Sequence, residues 1–86
     1  MKNGLIEDGF GTRRWYLNGN LHREDGPAIE SAKGTKHWLI HGQLHRIDGP
    51  ALELYNGYKE WWVNEEQIDC KNNEEFLRII KLKAFW

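Results

Sequence analysis

The sequence predicts a mainly β protein: an antiparallel twisted β-meander of about three 23-residue hairpin repeats, with about six strands, capped by a C-terminal α-helix. Two observations predict the repeats and a third predicts the cap. Tryptophan and glycine both recur every 23 residues, at Trp15, Trp38 and Trp61 and at Gly11, Gly34 and Gly57. The last part of the chain changes to the spacing of apolar residues that is typical of a helix.

Length and composition narrow the class of protein. The 86 residues are enough for a single domain with a thin core. Twelve basic and 13 acidic residues leave a net charge of −1, which argues against a protein built mainly to hold phosphate backbones. The single cysteine, Cys70, allows no intrachain disulfide, and no apolar stretch is long enough to span a bilayer. We therefore expect a cytoplasmic protein (in the host cytoplasm if the protein is viral) with no membrane partner.

The repeat is clearest between the first two tryptophans. Residues 15–30 read WYLNGNLHREDGPAIE and residues 38–53 read WLIHGQLHRIDGPALE, so most positions are identical. The third copy departs from this pattern, with Glu65 in place of glycine, Asp69 in place of arginine, and no following Gly-Pro-Ala. An end copy is expected to differ because it must stop the stacking. We expect a β-repeat sheet over residues 1–72, with units at about 4–26, 27–49 and 50–72, in one domain with the helical segment 73–86.

Within each unit, the residue types predict a hairpin. The first strands are rich in aromatic and β-branched residues. Asn18-Gly19 and His41-Gly42 then suit type I′ turns, in which both central residues need a positive φ. The second strands start at Leu21 and Leu44 and are interrupted at Asp-Gly-Pro, because proline has no N–H to donate to a strand ladder. The predicted first strands are 12–17, 35–40 and 58–63, and the second strands resume over 28–30 and 51–54.

The C-terminal segment predicts a helix over residues 73 to about 84. Asn72 is a good N-cap, and Glu75 three residues later completes a capping-box pair. The apolar side of this helix must be covered, and the open sheet is the surface that can cover it, so we expect the helix to act as lid and edge cap. The apolar residues at helical spacing are Phe76, Leu77, Ile79, Ile80 and Leu82.

The repeated motif resembles a known family. It is carried by Trp15-Tyr16-Leu17-Asn18-Gly19, by His22-Arg23-Glu24-Asp25-Gly26-Pro27-Ala28, and by their second copies through Ala51. This pattern is similar to the MORN repeat, and closest to a variant found in small proteins of bacteria, bacteriophages and large viruses. The resemblance covers residues 4 to about 68. It implies a hairpin sheet and a role in protein–protein contact, membrane association or scaffolding. The small number of units and the helix outside the repeats argue against a long scaffolding rod.

The His-Arg-x-Asp motif is the strongest chemical candidate. As a functional motif it would be a metal site or an acid/base pair. Equivalent residues one hairpin apart lie about 9.5 Å from each other, whereas zinc ligands lie about 2.0–2.3 Å from the metal, so the two histidines cannot share an ion. We expect a structural corner instead, in which the aspartate accepts backbone N–H groups, and we expect no metal and no cofactor. The two copies are His22, Arg23 and Asp25, and His45, Arg46 and Asp48.

The strands predict a surface for a partner. Residues two apart in a strand share a face, so the three repeated tryptophans lie on one face and their neighbours on the other. One helix of about 12 residues is too small to cover both faces. We expect the tryptophans to form the core and the second face to expose aromatic side chains beside cations, as interaction hot spots do. The predicted partner-binding residues are Arg14, Tyr16, His37, Leu39 and Trp62.

These patterns favour a non-catalytic protein-binding module. Because the motif resembles one found in small bacteriophage proteins, the resemblance suggests a phage-type accessory or inhibitor protein acting on a host protein. An enzyme is disfavoured because Cys70 and Ser31 have no activating neighbour in the pattern. One alternative is single-stranded nucleic acid on the aromatic face, where Arg13, Arg14, Lys36 and Lys59 form a basic line opposed by nearby glutamates. Another is a self-assembling structural repeat protein, pairing through the open sheet edge near residues 1–8.

Overall fold

The computed structural model describes residues 3–82, which form ten strands and one helix, mainly as antiparallel sheet. Strand and helix types agree with the sequence prediction, but ten strands replace the predicted six, because three predicted strands are each split in two and residues 4–7 form a further strand. In chain order the elements are β1 (Gly4–Glu7), β2 (Arg13–Leu17), β3 (Asn20–Leu21), β4 (Ile29–Glu30), β5 (Lys36–His37), β6 (Leu39–Ile40), β7 (Gln43–Leu44), β8 (Leu52–Glu53), β9 (Lys59–Val63), β10 (Glu66–Ile68) and α1 (Asn73–Leu82).

The strands follow one another as a meander. The main sheet has the order β1-β2-β4-β5-β8-β9-β10, β3 also pairs with β2, and β6 pairs with β7. Strands β3 and β4 lie on the same side of β2, opposite its end and its start respectively. They are two parts of one predicted strand, which the Asp-Gly-Pro corner interrupts. Proline explains the break, because it cannot donate to the ladder.

The hairpin turns have the backbone that their sequences predict. Asn18 and His41 have φ of 52° and 51°, and the glycine after each also has a positive φ. Both central residues therefore have the sign of φ that a type I′ turn requires, as predicted. The third turn, Asn64-Glu65, has φ of 50° and 65°, although Glu65 carries a side chain in a region that favours glycine.

The helix begins where its cap predicts. Asn72 Oδ1 accepts a hydrogen bond from the Glu75 N–H at 2.9 Å, and Glu75 Oε1 accepts one from the Lys71 N–H at 3.2 Å. The helix runs from Asn73 to Leu82, and the last two residues of the predicted helix lie outside the described residues. Two side chains therefore satisfy N–H groups around the helix start that the helix itself leaves unpaired.

The main core lies between the helix and the last hairpin. Four buried side chains form one cluster there, and Cys70, Ile79 and Ile80 pack against it. Phe76 is fully buried, so the helix covers the face of β9 that carries Trp61. The tertiary structure thus settles which face the helix covers: the tryptophan face, at the third hairpin. The four residues of the cluster are Trp61, Val63, Ile68 and Phe76.

Candidate functional site

The first two tryptophans are each covered by an arginine of the corner that follows. The guanidinium carbon of Arg23 lies 3.9 Å from the ring centroid of Trp15, and that of Arg46 lies 3.7 Å from the ring centroid of Trp38. At these distances a cation lies over the negative face of the indole ring, which is a favourable contact. The repeated arginine therefore serves as packing for the tryptophan face.

The third tryptophan has a different cover, because Asp69 stands where the arginine stood. The helix covers Trp61 in place of the arginine: the ring centroid of Phe76 lies 6.3 Å from that of Trp61. Asn73 Oδ1 accepts a hydrogen bond from the Trp61 indole N–H at 3.1 Å. In the third copy, the helix thus covers the tryptophan, as the arginines do in the first two copies.

The arginines also hold the Asp-Gly-Pro corners. Arg23 donates to Asp25 at 3.1 Å and to the carbonyl of Pro27 at 3.2 Å. A Cβ on Gly26 would lie 2.7 Å from the guanidinium carbon of Arg23, so a larger residue there would displace the guanidinium group. Arg46 repeats these contacts with Asp48 at 2.8 Å and with Pro50 at 3.1 Å. The aspartates contact the guanidinium, where we had expected contacts with backbone N–H groups.

The two motif histidines join neighbouring hairpins. His22 is buried, and its Nδ1 accepts a hydrogen bond from the backbone N–H of His41 at 2.9 Å. His45 Nδ1 accepts one from the N–H of Asn64 at the same distance. Each histidine therefore binds the first residue of the next hairpin turn. Over residues 3–82, no three or more side chains of His, Cys, Asp or Glu are grouped so as to hold a metal ion.

A row of alternating charge crosses the tryptophan face of the sheet. Each acidic residue of the row lies directly opposite a basic residue on the next strand, and Arg13 Nε is 2.9 Å from Glu7 Oε2. Opposite charges at such positions stabilise neighbouring strands and cancel one another's fields. Arg13 and Lys36 of the basic line therefore each lie between two acidic residues, and Lys59 lies beside Glu53. The row is Glu7, Arg13, Glu30, Lys36, Glu53 and Lys59.

The opposite face, which we call the open face, carries the predicted partner-binding residues. The helix is the one element outside the sheets in residues 3–82, and its buried contacts are with the tryptophan face. Arg14 lies opposite Ile6 and Ile29, and His37 lies opposite Ile29 and Leu52. The open face is defined by Arg14, Tyr16, Ile29, His37, Leu39, Leu52 and Trp62.

None of the five predicted side chains is fully exposed in the structure, and one of them is buried. Arg14, Tyr16, His37 and Trp62 are half-buried, so part of each is accessible. Leu39 is only 9% exposed. It lies in the central hairpin, flanked by the hairpins on either side, and so belongs to the interior of the open face.

Hydrogen bonds and burial set the charge of the open face. Arg14 Nη1 lies 3.3 Å from Asp8 Oδ2, and the Trp62 indole N–H donates to Glu60 at 2.9 Å. Burial lowers the pKa of His37, so this side chain is neutral near pH 7. Its Nδ1 is buried and has no hydrogen-bond partner in residues 3–82. The face is thus mainly apolar, with its charge at two edges.

Two of the cavities on the sheet lie beside the repeated tryptophans. One, of about 450 Å³, is lined by both corner arginines together with Trp38, His45 and neighbouring residues. The other, of about 430 Å³, lies at the outer flank of β9 and is lined by residues 58–61 and 67–70. Sequence reasoning missed the second cavity. Its signal in the sequence is the missing Gly-Pro-Ala after Asp69, since that segment fills the equivalent place in the first two copies.

Fold and surface together define the class: a small β-meander whose sheet is capped by a helix on one face. Comparison with protein-family models, with curated proteins and with solved structures gives no match to this chain. Within residues 3–82, the helix is too short and too polar to cross a bilayer.

Proposed function

We propose that the protein is a non-catalytic protein-binding module that contacts its partner through the open face. The observation that supports this most directly is the unequal covering of the sheet. The helix and the corner arginines occupy the tryptophan face, while Tyr16 and Trp62 on the open face are half-buried and partly accessible. Accessible aromatic side chains on an apolar surface are typical of protein interfaces.

The three hairpins are proposed to be three units of a MORN-like repeat. The support is geometric: positive φ angles at both central turn residues recur every 23 residues. Hydrogen bonds recur in the same way, for example from the N–H of Trp15 to the carbonyl of Ala28 and from the N–H of Trp38 to that of Ala51. The resemblance makes a host protein the first partner to test, with this chain as an accessory or inhibitor protein.

The charge row favours a protein partner over single-stranded nucleic acid. Binding of a phosphate backbone needs a run of uncompensated cations. In this sheet Arg13 lies between Glu7 and Glu30, and Lys36 lies between Glu30 and Glu53. The phosphates of a strand laid along the tryptophans would meet acidic groups as often as basic ones.

The proposal is tested by affinity capture with wild-type protein and with a Tyr16→Ala, Trp62→Ala double variant, followed by binding measurements on the recovered protein. Circular dichroism first verifies that both proteins fold. We expect the variant to bind at least tenfold more weakly, since hot-spot aromatics contribute about 2 kcal/mol or more. Tyr55→Ala is the matched control, because Tyr55 is an exposed tyrosine in a loop outside the open face.

Three results would contradict the proposal. Equal binding by wild type and double variant would exclude the open face. Weaker binding by Tyr55→Ala alone would place the contact in the loop. Recovery of nucleic acid that moderate salt removes would replace a protein partner with the phosphate-binding alternative.

A further inference from the structure

The outer flank of β9 is an incomplete part of the sheet. Lys59 and Glu60 pair with β8 on one side, while β10 pairs with β9 only from Trp61 onward. Within residues 3–82, no strand lies beside Lys59 and Glu60 on their other side. The cavity of about 430 Å³ occupies this position. We call it the strand gap, bounded by residues 58–61 and 67–70.

The equivalent positions on the other two long strands are filled. Beside β2 lies the segment Ala28-Ile29-Glu30, and beside β5 lies Ala51-Leu52-Glu53. Both alanines are fully buried, so each filled position accepts only a small residue there. Their carbonyls accept hydrogen bonds from the N–H of Trp15 at 2.9 Å and from that of Trp38 at 2.7 Å.

Within residues 3–82 the third position is empty, because the chain leaves the sheet. After Cys70 it enters the helix, and residues 74–76, which would correspond to the filling segments, form the first helical turn. The helix covers Trp61 from the face of the sheet and does not line the strand gap. An unpaired strand flank of this kind is a template for another strand.

We propose that the strand gap binds an extended segment of a partner protein with the sequence small–aliphatic–acidic, which adds to β9 as a strand. The two filled positions show the chemistry that fits. The small residue lies near the tryptophan, the aliphatic residue lies opposite Glu60 as Leu52 does, and the acidic residue lies opposite Lys59 as Glu53 does. Backbone hydrogen bonds provide affinity in such strand addition, and alternate side chains provide specificity.

Lys59 gives the strand gap its preference for an acidic residue. In the charge row each inner basic residue has an acidic neighbour on both sides, whereas Lys59 ends the row with Glu53 on one side. The carboxylate of Asp69, which also lines the strand gap, has the opposite effect and disfavours an acidic residue there. At the filled positions an arginine lies near the glutamate, with Arg46 Nη1 3.2 Å from Glu53 Oε1. A glutamate at a filled position meets both the opposite basic residue and this arginine, whereas at the strand gap it would meet Lys59 without an arginine. The pairing with the partner segment is therefore weak and reversible.

This site lies at the sheet edge and not on the open face, so its test is independent of the one above. The probe is a synthetic peptide with the sequence of residues 26–32, GPAIESA, blocked at both ends. Titration into isotope-labelled protein is followed by NMR. We expect the amide signals of Lys59, Glu60 and Trp61 to shift on titration, while those of Arg13 and Arg14, whose strand is paired on both sides, stay unchanged.

Charge exchange tests the register. Lys59→Glu should weaken peptide binding about two- to fivefold, as expected for a directly opposite ion pair. A peptide with lysine in place of its glutamate should regain that affinity with the variant. Asp69→Arg should tighten binding of the original peptide. Lys33→Glu is the matched control, because Lys33 is an exposed loop lysine that does not line the strand gap.

Three outcomes would overturn the proposal. The first is no shift at Lys59–Trp61 while the protein remains folded. The second is binding that is indifferent to both charge exchanges, since that would place the peptide elsewhere. Loss of peptide binding in the Tyr16→Ala, Trp62→Ala variant would assign the peptide to the open face instead.

Discussion

The guanidinium carbon of Arg46 lies 3.7 Å from the centroid of the Trp38 ring, while the same side chain donates to Asp48 and to the carbonyl of Pro50. The arginine side chain is only 20% exposed. A charged residue here does the packing that an apolar residue does in a thicker core, because its planar group can both stack and donate. In a chain of 86 residues with one helix, such stacking extends the buried surface beyond the last hairpin.

Arg46→Lys should destabilise the protein. Lysine keeps the charge but loses the planar stacking surface and the forked donors, so we expect the free energy of unfolding to fall by about 1–2 kcal/mol. Urea denaturation followed by tryptophan fluorescence measures it. Arg78→Lys is the control: Arg78 has an exposed pair with Glu74 at 3.6 Å and should change stability by less than about 0.5 kcal/mol. Equal effects of the two substitutions would show that the stacking is unimportant.

Phe76→Ala should detach the helix. Phe76 is fully buried against Trp61, and truncation of a buried phenylalanine costs about 3–5 kcal/mol. That is a large part of the total stability of a small domain. We expect a lower thermal midpoint and a shift of tryptophan emission to longer wavelength. The next residue, Leu77, is 43% exposed, so Leu77→Ala should have a much smaller effect on the thermal midpoint and on the emission wavelength.

His45→Ala should loosen the third hairpin turn. It removes the acceptor of the Asn64 N–H, so we expect faster hydrogen exchange at that amide and a stability loss of about 1 kcal/mol. His45→Asn is the rescue variant. In the first hairpin an asparagine does the same task, since Asn3 Oδ1 accepts from the Asn18 N–H at 2.7 Å. Unchanged exchange at Asn64 in His45→Ala would show that the turn does not depend on the histidine.

Glu65→Gly should stabilise the protein. Glu65 has a φ of 65°, whereas glycine occupies the equivalent turn positions 19 and 42. A left-handed conformation costs a residue with a Cβ about 1 kcal/mol, which glycine avoids. We expect a higher urea midpoint. Glu66→Gly, in the adjacent strand, should lower it, because glycine weakens strand interiors. A lower midpoint in Glu65→Gly would contradict the argument.

His37 should make stability depend on pH. Burial lowers its pKa from the ordinary value of 6.5. Below pH 6.5 the unfolded chain therefore binds more protons at this residue than the folded protein does. Its contribution to stability is complete above pH 6.5 and is lost as the pH falls through the folded-state pKa. Urea midpoints at several pH values measure it. His37→Leu, which copies Leu52 on the neighbouring strand, should remove this part of the pH dependence.

Much of the local structure could be predicted from the sequence. The type I′ turn at Asn18-Gly19 and the helix cap at Asn72 depend on residues within three or four positions, so their patterns are visible in one stretch of chain. The interruption of the second strands at Asp-Gly-Pro was predicted, because proline has no N–H to donate. The division of the predicted strand 35–40 into β5 and β6 was not predicted, because it depends on pairing with strands that are distant in the sequence.

The candidate site was predicted in part. Strand alternation correctly grouped Arg14 and Tyr16 on one face, because side chains alternate in any strand. It could not separate buried Leu39 from half-buried Trp62, since burial depends on the neighbouring hairpins. The role of His22 was also beyond the pattern, because its partner, the His41 N–H, lies 19 residues away.

The sequence by itself determined the strand-turn-strand pattern, its 23-residue period and the start of the helix, because local backbone preferences decide these features. The tertiary structure alone decided that the helix covers Trp61, that Arg23 and Arg46 lie over their tryptophans, and that no strand of residues 3–82 pairs with the outer side of Lys59 and Glu60. These features depend on which distant residues meet. Hydrophobic burial and charge pairing between residues distant in the sequence select those contacts.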